Sequence, residues 1–202
     1  MEYGFYAMIS RMKLIERWAL MRNSLSENIS EHSLEVSIIA HALAVISNER
    51  LGNHINAEKA ALIGIYHDAT EIITGDMPTP IKYFNENIQG AFKAVENAAA
   101  ERLLSMLPED LRESYTSIFF QKEDEVYLWK LLKAADKLSA LIKCIQERKA
   151  GNTEFIRAEE SIRKILIDMK SEEVNIFMKD FLPSYDKTLD ELNDYYETKP
   201  FG

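Results

Sequence analysis

One cysteine in 202 residues rules out an intramolecular disulfide, and a lone Cys144 suits a reducing compartment, so we expect a cytoplasmic chain. The N-terminus lacks the basic, apolar, small-residue order of a secretory leader. No apolar run is long enough for a bilayer: the longest, such as IIAHALAVI at 38–46, fall far short of a span. Positive charge is also scarce. With 24 Lys and Arg against 33 Asp and Glu, the net charge of −9 repels phosphate surfaces, excluding broad adhesion to a nucleic acid polymer or an acidic membrane. GxGxxG, Walker-type glycine loops, GxSxG elbows and paired CxxC are all missing, which removes the physical core of nucleotide-fold, hydrolase-elbow and zinc-ribbon readings.

Glycine and proline are few as well, 7 and 5, so the segments between breaks are long, and their apolar spacing is helical. Ser30 can cap a helix whose Leu34, Ile38, His41, Ala42 and Val45 form one apolar face. Asn56 can cap another from Ala57 to about Thr74, ended by Gly75 and the prolines of GDMPTP. Further helices are expected at about 85–107, 123–149, 153–169, 172–181 and 186–196, with no strand or repeat. The length and the 47% hydrophobic content suit one all-α domain, 1–202, that needs no staple to bury a core.

Within the expected 57–74 helix, His67, Asp68 and Glu71 share a face, and three ionisable groups in one volume are costly to desolvate without a partner. Imidazole and carboxylate together suit a divalent transition metal. His32, in the first turn of its helix, and Asp136, beside the small Ala134 and Ala135, could complete a site, although a first-turn histidine can simply be exposed and Asp136 can simply pair with Lys133 or Lys137. His41 reads as a hydrogen-bonded core residue, His54 as a loop residue and Cys144 as packing. Arg11, Lys13, Arg17 and Arg22 either solvate a helix face or concentrate cations for a small phosphate.

The order His32, His67-Asp68, Asp136 resembles the H…HD…D signature of the HD-domain phosphohydrolases, a mainly helical superfamily. RWALMRN at 17–23, ENISEHS at 27–33, YHDATEIITGDMPTPIKYFN at 66–85, KAADKLSALIKC at 133–144 and AGNTEF at 150–155 extend the likeness to the bacterial 5'-deoxynucleotidases. That resemblance implies one divalent cation, manganese, cobalt or another transition metal, on His32, His67, Asp68 and Asp136. It implies a catalytic Glu71, an Arg17 that orients the substrate phosphate, and a Trp18 that favours 2'-deoxyribose. His32, Asp76, Thr79, Pro80, Ile81 and Lys82 match further substrate positions. Ala19, where the relatives carry proline, and Lys137 and Ser139 around Asp136 depart from the pattern. The implied substrate is a deoxyribonucleoside 5'-monophosphate, and the implied assembly a homodimer; little in the sequence reads a base edge, so tolerance across different bases is expected. The alternatives are another HD phosphohydrolase, acting on a cyclic nucleotide, a triphosphate or an alarmone, or a nucleotide-binding module without chemistry.

Overall fold

A computed structural model describes residues 2–82 and 84–197, apart from the side chains of Thr79 and residues 194–197. Helices follow one another in the order α1 (Phe5–Ile9), α2 (Ile29–Leu51), α3 (Ala57–Tyr66), α4 (Glu71–Thr74), α5 (Thr79–Lys82), α6 (Glu86–Ser105), α7 (Glu109–Phe119), α8 (Val126–Lys149), α9 (Ile156–Asp168), α10 (Glu172–Asp180) and α11 (Leu189–Glu197). Among the described residues no strand forms; one isolated antiparallel bridge joins Glu16 and Asn28. The fold is all-α.

The core lies between α2 and α8, the two longest helices, with α3, α9 and α10 packed around them. Leu43, Ile39, Leu138, Leu141 and Ile142 are essentially inaccessible there. By length and a mean hydropathy of 1.3 across an 18-residue window, α2 could cross a membrane; more than half of that window is buried against protein, as a core helix requires. A second apolar cluster, Phe5, Ile29, Ala69, Leu103 and Leu107, covers the side of the molecule where α1 meets α6.

Asn28, not Ser30, caps α2. Its side chain accepts from the Ser30 and Glu31 amides at 3.0 and 3.1 Å, and Glu31 accepts from the Asn28 amide at 3.2 Å. This reciprocal capping box starts the helix two residues earlier than the serine would. The expected apolar face of α2 is also displaced: Leu34 and Ile38 are 60% and 61% exposed, and His41 is exposed rather than core. Because α2 carries apolar residues around most of its circumference, spacing alone does not select the buried side. The face with His32, Val36, Ile39, Ala40 and Leu43 goes inward.

The expected 57–74 helix is broken in two. Asn56 caps α3 as anticipated, through the Lys59 amide at 2.8 Å, but regular structure stops at Tyr66 and a turn spans 67–70 before α4. Pro108 and the acidic pair Glu109 and Asp110 open α7, a helix that the periodicity missed.

Candidate functional site

Close packing of α3 on α2 builds the site. Gly64 lies so close to Ser37 that an added Cβ would sit 2.6 Å from the Ser37 Cα. Three residues later the chain turns, and His67 leaves α3 with its Nδ1 donating to the Gly64 carbonyl at 2.8 Å. A carbonyl only accepts, so Nδ1 carries the hydrogen and Nε2 is left as the free position. His32 comes from α2, fully buried, its ring 5.2 Å from that of His67.

The Nε2 atoms of His32 and His67 are buried without a well-formed hydrogen bond. Carboxylate oxygens nevertheless stand close by: Asp136 3.2 Å from His32 Nε2, and Asp68 3.5 Å from His32 Nε2 and 3.1 Å from His67 Nε2. Donor atoms of His32, His67 and Asp68 all lie within 4.8 Å of one another. Two orphaned imidazole nitrogens facing two carboxylates fit a divalent cation, because a cation satisfies all four groups at once. Asp136 also pairs with Lys137 at 2.8 Å.

Electrostatics mark the same volume. Burial lowers His32, reinforced by Arg17, despite the opposing pull of Asp136 and Asp68. Burial also works against a charged His67, but Asp68 outweighs it and raises that histidine. Asp68 is held well below the usual carboxylate range because its histidine neighbours overcome burial. Glu71, at the start of α4, goes the other way: burial, then Asp68 and Asp76, push it up to about 10. Asp76 is raised by burial and Asp68, while Arg17 and the Trp18 amide favour its charge.

Of the four basic residues near the N-terminus, Arg11, Lys13 and Arg22 are exposed and Arg17 turns inward. Its Nη1 lies 2.5 Å from Glu27 Oε2, and that same oxygen accepts from Trp18 Nε1 at 3.0 Å. Sequence reasoning missed Glu27. The bridge that brings it there pairs the Arg17 amide with the Glu27 carbonyl at 2.9 Å, and the only local signal was a carboxylate ten residues away. Trp18 has φ +59°, a left-handed conformation that costs a bulky residue about 1–3 kcal/mol, so its surroundings must hold it. Glu27 and the ring of Phe155, 5.3 Å away, supply that hold.

Arg17, Trp18, Asp76, Pro80 and Asp136 line one cavity of about 550 Å³, whose far wall is apolar: Ala158, Ile162 and Ile165 of α9 with Met21. Ile81 is 48% exposed, and Lys82 is directed to α6, pairing with Glu96 at 2.7 Å over the ring of Phe92. The Thr79 side chain lies outside the described residues. The loop carrying Trp18 is fastened to α8 by Glu147, fully buried, which accepts from the Ser24 and Leu25 amides at 2.8 and 3.1 Å. Lys143 pairs with Glu147 at 2.5 Å and also donates to the Leu25 carbonyl.

The family model for YfbR-like 5'-deoxynucleotidases matches residues 4–185. The chain belongs to this family. A 5'-deoxynucleotidase of Enterobacter sp. strain 638 is 46% identical over 189 residues, 94% of this chain and 95% of the relative. One from Vibrio vulnificus is 44% identical over 192 residues, 95% and 99% of the two chains. Among solved structures, an HD-domain phosphohydrolase from Listeria innocua superposes with a TM-score of 0.78 at 22% identity, covering 96% of this chain and 97% of that one. The cyanophage S-2L HD phosphohydrolase, bound to dA and one catalytic Zn²⁺, gives 0.60 at 19% identity, covering 93% and 100%. These two likenesses establish the HD-domain fold.

Proposed function

We propose that this protein is a metal-dependent 5'-deoxynucleotidase, an enzyme that hydrolyses deoxyribonucleoside 5'-monophosphates to deoxynucleoside and phosphate. The family membership and the close relatives' names carry the activity. One structural observation supports the chemistry: the two bare, buried Nε2 atoms of His32 and His67 face Asp68 and Asp136 beside a cavity that also holds Arg17.

His32, His67, Asp68 and Asp136 are the residues we assign to hold a divalent cation. When bound, such a cation acts as a Lewis acid that lowers the pKa of water and withdraws charge from a phosphoryl group. A mixed nitrogen and oxygen donor set suits manganese, cobalt, iron or zinc alike. Arg17, kept protonated by Glu27, Asp68, Asp136 and Asp76 in spite of burial, presents a planar fork for the phosphate oxygens and stabilises charge as the ester breaks. Glu71 is assigned to orient the attacking water and take its proton. In the metal-free chain it is protonated; neutralising Asp68 removes part of the repulsion that keeps it so. Water oxygen bonds to phosphorus, the bond to the 5'-oxygen breaks, and that oxygen leaves with a proton as the deoxynucleoside hydroxyl.

Trp18 we assign to the sugar edge, where a fixed indole excludes a 2'-hydroxyl, and Asp76 to a sugar hydroxyl or a bound water. The apolar α9 wall supports tolerance of different bases, because it offers aliphatic contact rather than a row of donors and acceptors. Residues 1–202 we read as one domain; Tyr66, Tyr115 and Phe119 pack against both apolar clusters. The exposed apolar residues of α2 and α3, among them Leu34, Ile38, Leu62 and Ile65, support a homodimer. A cytoplasmic location agrees with the single thiol, buried in α8.

Phosphate release from deoxy- and ribonucleoside monophosphates with defined metals tests this reading, with wild type beside Asp136→Asn and Glu71→Ala. We expect turnover of deoxynucleotides with several bases, lost metal binding in Asp136→Asn, and a 10²–10⁴-fold slower Glu71→Ala. Pyrophosphate or triphosphate release, opening of a cyclic nucleotide, or tight binding without turnover overturns the activity.

A further inference from the structure

Ser139 departs from the expected pattern around Asp136, and its position gives it a use. It is fully buried on α8, one helical turn beyond Asp136, and its Oγ lies 3.0 Å from His32 Nδ1 and 2.6 Å from Glu35 Oε2. Glu35 is in turn three residues beyond His32 on α2. Each of the two central helices therefore contributes one candidate metal ligand and, on the same face, one member of this chain of hydrogen bonds.

Counting hydrogens fixes the direction. A hydroxyl has one hydrogen, and with Glu35 ionised the short contact gives it to that carboxylate, which accepts; burial raises Glu35, and the Ser139 donation works against that rise. Ser139 Oγ then offers His32 only lone pairs, so Nδ1 must carry the ring hydrogen and donate. The Nε2 lone pair is left aimed at Asp68 and Asp136. His67 reaches the same state by a different route, through the Gly64 carbonyl. Without an acceptor at Glu35, the Ser139 hydroxyl is free to turn and donate to Nδ1, which forces the hydrogen onto Nε2 and blocks it.

We propose that Ser139 and Glu35 form a relay that locks His32 with its Nε2 lone pair toward the cation, and that the two set metal affinity as one unit. Both are positioning residues; neither touches the cation or substrate. The proposal rests on His32 being a metal ligand. Glu35 in this role has no counterpart in the H…HD…D pattern.

The test is Mn²⁺ binding by calorimetry to the full chain: wild type, Ser139→Ala, Glu35→Met and the double variant, each also melted without metal. Methionine fills the space of Glu35 while removing the acceptor. We expect affinity about 10-fold weaker or more in each single variant, in line with losses on removing a ligand's hydrogen-bond partner. The double variant should be no weaker than Ser139→Ala, since Glu35 acts through Ser139. If the metal-free Ser139→Ala fails to fold, Glu35→Met decides the matter, because its residue is only partly buried. Unchanged affinity in a folded Glu35→Met, or losses that multiply in the double variant, overturn the relay. Wild type that takes up no Mn²⁺, Co²⁺ or Zn²⁺ instead refutes the metal site on which it rests.

Discussion

Replacing Gly64 with alanine should damage both stability and activity, although alanine is the better helix former. The intrinsic preference favours Gly64→Ala by up to about 1 kcal/mol. The new Cβ, however, would meet Ser37 Cα at 2.6 Å, Ser37 N at 2.9 Å and Ser37 Cβ at 3.2 Å. Carbon atoms settle at about 3.5–4.0 Å, so α3 must back away from α2 by about 1 Å, and the obstacle is backbone that cannot rotate aside. Overpacking of this kind costs about 1–3 kcal/mol or more, which outweighs the propensity and leaves the variant less stable. The displacement is passed on directly, because the Gly64 carbonyl holds His67 Nδ1 while His32 rides on α2. A shift of about 1 Å between groups that must converge can cost on the order of 10² in rate. Gly90→Ala on α6 is the matched control: nothing lies within 4 Å of its added Cβ, and it should stabilise by about 0.5–1 kcal/mol. Urea unfolding of the metal-free chains and phosphate release with Mn²⁺ read the two effects. A Gly64→Ala protein as stable as wild type with full turnover refutes the link between this crossing and the site.

The raised Glu71 carboxyl gives the metal-free protein a pH signature: the folded chain keeps a proton that the unfolded chain releases above pH 4.5, so stability falls with rising pH, up to about 10, by at most about 1.4 kcal/mol per pH unit. Denaturant titrations of wild type and Glu71→Gln should agree near pH 4 and diverge steadily toward pH 8, with the variant more stable; parallel curves would show that Glu71 is not held protonated. Glu147 has the opposite sign: burial is outweighed by Lys143 and the loop donors, its carboxyl falls from 4.5 to about 2, and it contributes about 3 kcal/mol that is present above pH 4.5 and lost as pH drops toward 2. Glu147→Gln should therefore be less stable by about that amount at pH 7 and indistinguishable from wild type near pH 2 by circular dichroism. Glu27→Ala frees both Arg17 and the strained Trp18, and we expect the KM for a deoxynucleoside monophosphate to rise about tenfold, equivalent to about 1.4 kcal/mol. An unchanged KM in steady-state assays contradicts the assigned hold on Arg17.

Helix existence was legible because punctuation is sparse, and Asn56, Asn85 and Ser171 cap near the expected starts of their segments. Which side of a helix faces inward was not. On α2 the sequence is apolar in most directions, and the buried side is decided by where Gly64 lets α3 approach, a fact about two segments rather than one. The same applies to His32. A first-turn histidine is often exposed, yet this one lies at 0% exposure because α8 brings Ser139 and Asp136 against it. Glu27 and Glu147 escaped notice for a related reason: glutamates are common here, and their meaning comes in part from distant partners, Trp18 nine residues from Glu27 and Ser24 123 residues from Glu147.

The broken 57–74 helix shows what continuous periodicity conceals. In an unbroken helix, His67 would keep its side chain on the α3 face while its backbone amide and carbonyl were used by the ladder. Ending α3 at Tyr66 releases the Gly64 carbonyl to hold the imidazole, and the turn at 67–70 lets the adjacent Asp68 approach the same volume as His67. Restarting as α4 then buries Glu71 beside Asp68, and burial first, then that carboxylate, push it up to about 10. Under the proposed function, this junction between α3 and α4 is where His67 and Asp68 supply half of the four-residue site, with the Gly64 carbonyl rather than a second side chain fixing the imidazole.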